Sequence, residues 1–148
     1  MNCSGKFRYW LPVFLWMCVI FLMSTGSFAS AETSRFIEPA IRFLFPHMSD
    51  RKVDFIHGLI RKCGHLSEYF ILGLLLFWAF GKGRADLPAR RAVLYSVIII
   101  ALYAASDEFH QMFVAGRTPS VVDVGIDTVG GMLAQAVCLL FRRDRDHS

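Results

Sequence analysis

Three stretches of this chain are apolar along most of their length and densely polar at one end: 62–80 (KCGHLSEYFILGLLLFWAF), 92–113 (AVLYSVIIIALYAASDEFHQMF) and 121–141 (VVDVGIDTVGGMLAQAVCLLF). A fourth run, 9–25 (YWLPVFLWMCVIFLMST), precedes them and follows Lys6 and Arg8. Crossing hydrocarbon takes about 20 mostly apolar residues, and a chain in lipid must satisfy its backbone polar groups within a helix or a closed barrel. Composition agrees with immersion in lipid. Hydrophobic residues make up 55% of the chain and charged residues 19%. Soluble domains hold about 45–50% and about 25%. The mean hydropathy is +0.45. The expected fold class is all-α: a polytopic transmembrane helical bundle of about four spans in one domain over 1–148, with a short amphipathic extracytoplasmic helix.

Pro12 falls in the first turn of the first apolar run, where a missing N–H costs little. The same run is compatible with a signal peptide, since Ala29-Ser30-Ala31 before Glu32 has the small residues of a cleavage site. An outer loop follows over 26–61. Within it Ile37, Ile41 and Leu44 recur at helical spacing among Arg35, Glu38 and Arg42, which predicts a helix lying on the membrane surface and stopped by Pro46. Residues 50–60 (DRKVDFIHGLI) form a second amphipathic stretch leading into the next span. Orientation follows the Lys and Arg distribution. Lys6, Arg8, Lys82, Arg84, Arg90, Arg91, Arg142, Arg143 and Arg145 fall on one side, with only Asp86, Asp144 and Asp146 as acids in the same segments. Both termini are therefore expected to be cytoplasmic.

The net charge of +4 is what membrane topology alone demands, and there is no zinc-finger spacing or basic stripe with interleaved aromatics, so nucleic acid is not an expected partner. Cys3, Cys18, Cys63 and Cys138 form no CxxC pair, which argues against a disulfide framework. His47, His57 and His147 lie outside the polar blocks.

With four alternating spans, the polar ends of the last three share one face of the membrane. This gathers Lys62, His65, Glu68 and Tyr69, then Asp107, Glu108, His110 and Gln111, then Arg117, Ser120, Asp123 and Asp127. At 100° per residue, Lys62, His65 and Tyr69 lie within about 60° of arc, with Glu68 to one side. Tyr103, Asp107, His110 and Gln111 form a second stripe with Glu108 at its edge, and Asp123, Asp127, Gly130 and Ala134 a third. A charge at the bilayer centre costs about 2.5–3.5 kcal/mol on insertion scales, so the stripes are expected to turn toward one another. The small residues Gly130, Ala134 and Cys138 lie on nearly the same face as the two aspartates and would let a neighbouring helix approach closely.

Lys62-x2-His65-x2-Glu68-Tyr69, Asp107-Glu108-x-His110-Gln111-x-Phe113-x2-Gly116-Arg117 and Ser120-x2-Asp123-x3-Asp127-x2-Gly130 together resemble the VanZ-like family of small bacterial membrane proteins. The resemblance spans roughly 60–135, and the first span, ending Met23-Ser24-Thr25, looks like that family's opening helix. It implies a multi-span protein of the bacterial cytoplasmic membrane, with a namesake associated with resistance to the glycopeptide teicoplanin and no established reaction. Within the resemblance, Ala115 stands where a proline often precedes the Gly-Arg pair, and Asp127 where asparagine often stands.

Three readings of the polar blocks stay open at this point. Lys62, His65, Glu68, Tyr69, Asp107, Glu108, His110, Gln111, Arg117, Asp123 and Asp127 are candidate ligand-binding residues for a membrane lipid head group, a lipid-linked envelope component or a lipoglycopeptide. The planar fork of Arg117 suits phosphate or carboxylate. Alternatively His65, His110 and the acids assist hydrolysis or transfer on an envelope lipid around a metal, although no metal or cofactor is assigned. In the third reading the charges only pair with one another and set helix packing. Thr118-Pro119-Ser120 reads as a helix start.

Overall fold

The computed structural model describes residues 3–25, 30–83, 87–114 and 119–146. Ala29, Arg84, Asp86, the segment of Ala115, Gly116, Arg117 and Thr118, and His147 lie outside the described residues. Those described form five helices and no strand: α1 (Cys3–Ser24), α2 (Ser30–Leu44), α3 (Asp50–Gly83), α4 (Ala89–Gln111) and α5 (Val121–Asp146). Four are long and apolar enough to cross a membrane, over Phe7–Ser24, Asp50–Gly83, Ala89–Gln111 and Val121–Arg142.

Two helix boundaries differ from those expected. Helix α1 begins at Cys3, which places Pro12 in the helix interior instead of its first turn. The proline ring cannot return a hydrogen bond to the Arg8 carbonyl, yet the helix runs through it, as prolines in membrane-spanning helices are tolerated where local adjustment and neighbouring groups satisfy the freed carbonyl. Helix α3 begins at Asp50 instead of Lys62, because the amphipathic stretch and the apolar run merge into one helix of 34 residues. Ser49 starts it, its carbonyl accepting from the backbone N–H groups of Lys52 and Val53, and Asp50 places an acid in the first turn. At 1.5 Å per residue the helix is about 50 Å long, well beyond the hydrocarbon thickness of about 30 Å. Its first turns therefore stand clear of the apolar layer, where α2 packs against them. Arg42 bridges Glu38 at 2.9 Å and Asp50 at 2.7 Å, and Ile41 and Val53 are buried. Phe43, Leu44 and Phe45, at the end of α2, remain exposed.

Helices α1, α3, α4 and α5 run up and down in turn. At one end Trp10 meets Phe80 edge-on at 5.0 Å, Tyr9 meets Trp78 at 5.3 Å and Phe80 lies 6.1 Å from Tyr95. Lys82, Arg90, Arg91 and Arg142 are exposed near the helix termini of this end, which we call the basic end. At the other end Lys62 meets Asp123, and Phe21 lies 4.6 Å from the His110 ring. The core between them is built from Val13, Ile20, Leu72, Leu76, Ala79, Ile100 and Ala104. Large apolar side chains such as Leu15, Leu22, Leu102, Met132 and Leu140 point outward, as a lipid solvent requires.

Close approach of α3 and α5 rests on small residues. A Cβ on Gly73 would sit 2.7 Å from the Ala134 Cβ and 2.9 Å from the Gly131 carbonyl, and one on Gly130 would strike the Leu66 carbonyl. Gln135, buried and on the same helix, donates from Nε2 to the Gly73 carbonyl at 2.8 Å. Helix α1 is tied in by two hydrogen bonds: Trp16 Nε1 donates to the Glu68 carbonyl at 2.9 Å and the Tyr103 hydroxyl to the Met17 carbonyl at 2.6 Å. Interhelical hydrogen bonds in membrane proteins contribute about 0.6 kcal/mol on average and up to about 1.7. Tyr103→Phe is thus expected to lower unfolding stability in detergent by about 1 kcal/mol and to loosen α1 selectively. Faster protease cleavage of the chain just after α1 would report that loosening.

Candidate functional site

The polar ends of α3, α4 and α5 meet at the end of the bundle opposite the basic one. Helical periodicity turns Tyr69, Asp107, Gln111, Asp123 and Asp127 inward, and all five are buried. Glu108 sits at the edge of its stripe yet is also buried. The start of α5 lies against it, and Glu108 Oε2 accepts from the Ser120 backbone N–H at 2.7 Å. A carboxylate at a helix N-terminus satisfies an otherwise orphaned donor and meets the positive end of the helix dipole.

One part of the cluster is internally paired. Lys62 Nζ donates to Asp123 Oδ1 at 2.9 Å, and Arg61 lies 3.8 Å from Asp123 Oδ2. Gln111 Nε2, one turn beyond Asp107, donates to Asp107 Oδ2 at 3.0 Å. The pair of Lys62 and Asp123 is asymmetric, with the lysine side chain 40% exposed and the aspartate 7%. Removing the lysine leaves a nearly buried carboxylate with only the longer contact to Arg61, whereas removing the aspartate leaves cations that reach water. A double-mutant cycle with Lys62→Met and Asp123→Ala is expected to give a coupling of about 1–3 kcal/mol, with Lys62→Met the costlier single change. Chemical unfolding of the purified protein in micelles measures it.

A second part is not paired. Asp127 is fully buried and, among the described residues, neither of its carboxyl oxygens has a hydrogen-bond partner. His65 Nδ1 stands 3.6 Å from Asp127 Oδ1, an ion-pair distance too long for a hydrogen bond. The Tyr69 hydroxyl, Asp107 Oδ1, Glu108 Oε1 and His110 Nδ1 are likewise buried without a hydrogen-bond partner. Tyr69 lies within electrostatic range of both Asp107 and Asp127. Asp127 in turn feels the charges of Asp107, Glu108, Glu68 and Asp123. The Glu68 side chain is half-buried, while its backbone carbonyl takes the Trp16 indole N–H. Arg117 lies outside the described residues, so its expected place beside the acids is not part of this geometry.

Two contributors, Arg61 and Gln135, were not singled out in the sequence. Arg61 joins Asp123 because it neighbours Lys62 on the face toward α5, a position that its place in a mixed run (GLIRKCGHL) does not distinguish. Tyr103 lies 6.2 Å from the Tyr69 ring, but its hydroxyl is spent on α1. Gln135 sits deeper and serves the packing of α3 on α5. Among the described residues no group of three or more His, Cys, Asp and Glu side chains is arranged to hold a metal ion. The described cluster offers buried carboxylate oxygens as hydrogen-bond acceptors, with a phenol and an imidazole beside them.

A family model described as VanZ/LLP1 matches residues 9–142, which takes in all four long apolar helices and the whole polar cluster. No curated protein and no solved structure matches the chain.

Proposed function

The chain belongs to the VanZ/LLP1 family, and from that membership and the polar cluster we propose that it binds the head group of a membrane amphiphile at the outer face of the bacterial cytoplasmic membrane. The termini are then cytoplasmic, in keeping with the exposed Lys and Arg residues of the basic end. The carrying observation is Asp127, fully buried, with both of its oxygens and the nearby Tyr69 hydroxyl, Asp107 Oδ1 and Glu108 Oε1 unpartnered among the described residues. A network that served only to fix helix packing would satisfy its members, because a buried polar group without a hydrogen bond costs about 1–3 kcal/mol. Here the pairs of Lys62 with Asp123 and Gln111 with Asp107 do the positioning, and the groups without partners are left for a ligand to satisfy.

Surplus acceptors select a ligand that brings donors. A hydroxyl- or amine-bearing head group fits, with its apolar part left in the surrounding lipid. Lipid-linked envelope components and lipoglycopeptides both have this division, and the teicoplanin association of the family name accords with the second. Arg117 extends the reading to a phosphate or carboxylate on the same ligand. The test is mass spectrometry of amphiphiles that co-purify with wild type, Asp107→Asn and Arg117→Ala, at matched protein abundance. One class carrying hydroxyl or amine groups is expected to be enriched in wild type and reduced about fivefold or more in each variant, the equivalent of one net hydrogen bond. Identical amphiphile profiles in all three proteins would refute the reading.

A further inference from the structure

The opposite end of the bundle carries a different feature. Between the last turns of α3 and α5 lies a cleft of about 680 Å³. Leu74 and Phe77 of α3 and Val137 and Phe141 of α5 form its walls, Gly81 and Cys138 add little bulk, and Lys82 and Arg142 stand at its mouth. Its volume lies in the range of about 300–1,000 Å³ typical of small-ligand sites. None of its lining residues belongs to α1, α2 or α4, so no described helix covers it.

The cleft is divided along its length. Trp78 lines it and packs edge-on against Tyr9, and Arg8 lies over the Tyr9 ring at 5.6 Å. Aromatic rings of this kind mark the level where hydrocarbon gives way to head groups. Leu74 and Val137 lie on the hydrocarbon side of that level, while Lys82 and Arg142 are exposed beyond it. Among the described residues neither cation is in an ion pair, and no acid lines the cleft. An apolar slot with two unpaired cations at its open end complements an anion attached to an acyl chain.

We propose that this cleft is a binding site for an anionic phospholipid, with Lys82 and Arg142 holding the phosphate and Leu74, Phe77, Val137 and Phe141 packing one acyl chain. A second copy of the chain is a poorer occupant, because a two-fold contact through the same face would bring Lys82 and Arg142 of both copies together. The site is distinct from the polar cluster and stands or falls without it. Basic residues between helices near a membrane face recognise anionic lipids through both charge and shape.

Native mass spectrometry of the full chain in detergent, titrated with phosphatidylglycerol or phosphatidylcholine of identical acyl chains, tests the proposal. Phosphatidylglycerol is expected to bind about tenfold more tightly than phosphatidylcholine. Replacing both cations, Lys82→Gln with Arg142→Gln, is expected to weaken phosphatidylglycerol binding about twentyfold. Arg90→Gln with Arg91→Gln, at the same end but outside the cleft, is expected to change it by less than about twofold. Equal affinity for the two lipids would overturn the proposal. So would an equal loss from the Arg90 and Arg91 replacements, which would reveal a diffuse basic belt, or a dimer that excludes lipid.

Discussion

Asp127→Asn is expected to raise the stability of the purified protein by about 1–3 kcal/mol and to abolish retention of the head-group ligand. The side chain is fully buried, has no hydrogen-bond partner among the described residues and sits among Asp107, Glu108, Glu68 and Asp123. Asparagine keeps the shape, removes an acid from an acid-rich site and supplies amide N–H groups near the carboxylates of Asp107 and Glu108. Leaving a buried acceptor unsatisfied costs about 1–3 kcal/mol, which is the range of the expected gain. Unfolding in micelles reads the first effect and mass spectrometry of bound amphiphile reads the second. If the substitution instead destabilised the bundle, Asp127 would be a structural partner, and the proposed head-group site would lose its central observation.

The second large effect is at Gly130. A methyl group there would meet the Leu66 carbonyl and lie 3.2 Å from its carbon and 3.3 Å from its Cα, all backbone atoms of α3. No side-chain rotation relieves such a contact, so α3 and α5 must separate. Gly130→Ala is expected to cost about 2–3 kcal/mol or more, with a marked fall in membrane-fraction abundance. Separation also disturbs the site, since Asp127 and Gly130 share a face of α5 and His65 is adjacent to Leu66 on α3. Gly125→Ala, in the same helix with nothing within 4 Å of its added Cβ, serves as the control. It is expected to be neutral or stabilising by up to about 1 kcal/mol through helix propensity. Equal stabilities for the two variants would show that α3 and α5 do not meet this closely.

Much of this arrangement is legible without coordinates because lipid imposes few solutions. The runs starting at Tyr9, Ala92 and Val121 can be helices and little else, and Asp107 and Gln111 share a face because they are four residues apart. Periodicity also aligns Asp123, Asp127 and Gly130. Where prediction faltered, the signal was weak in a one-dimensional sense. The amphipathic 50–61 segment has its own polarity pattern, yet no breaker separates it from Lys62, so the two stretches form a single α3. Pro12 marks no helix start, because a proline is tolerated within a membrane-spanning helix and the helix continues back to Cys3.

Sequence by itself therefore determined the all-helical membrane architecture, the one-sided gathering of charge and the small-residue face of α5, since each follows from hydropathy and from the 3.6-residue period of a helix. It could not determine partners. Which carboxylate takes Lys62, that Glu108 is claimed by the Ser120 N–H, and that Asp127 is left without a hydrogen bond all depend on how three helices rotate and slide against one another. Only tertiary structure decides that, because distances of a few ångströms between elements far apart in the chain are set by packing, with Gly73, Gly130 and Gly131 fixing how near α5 can come.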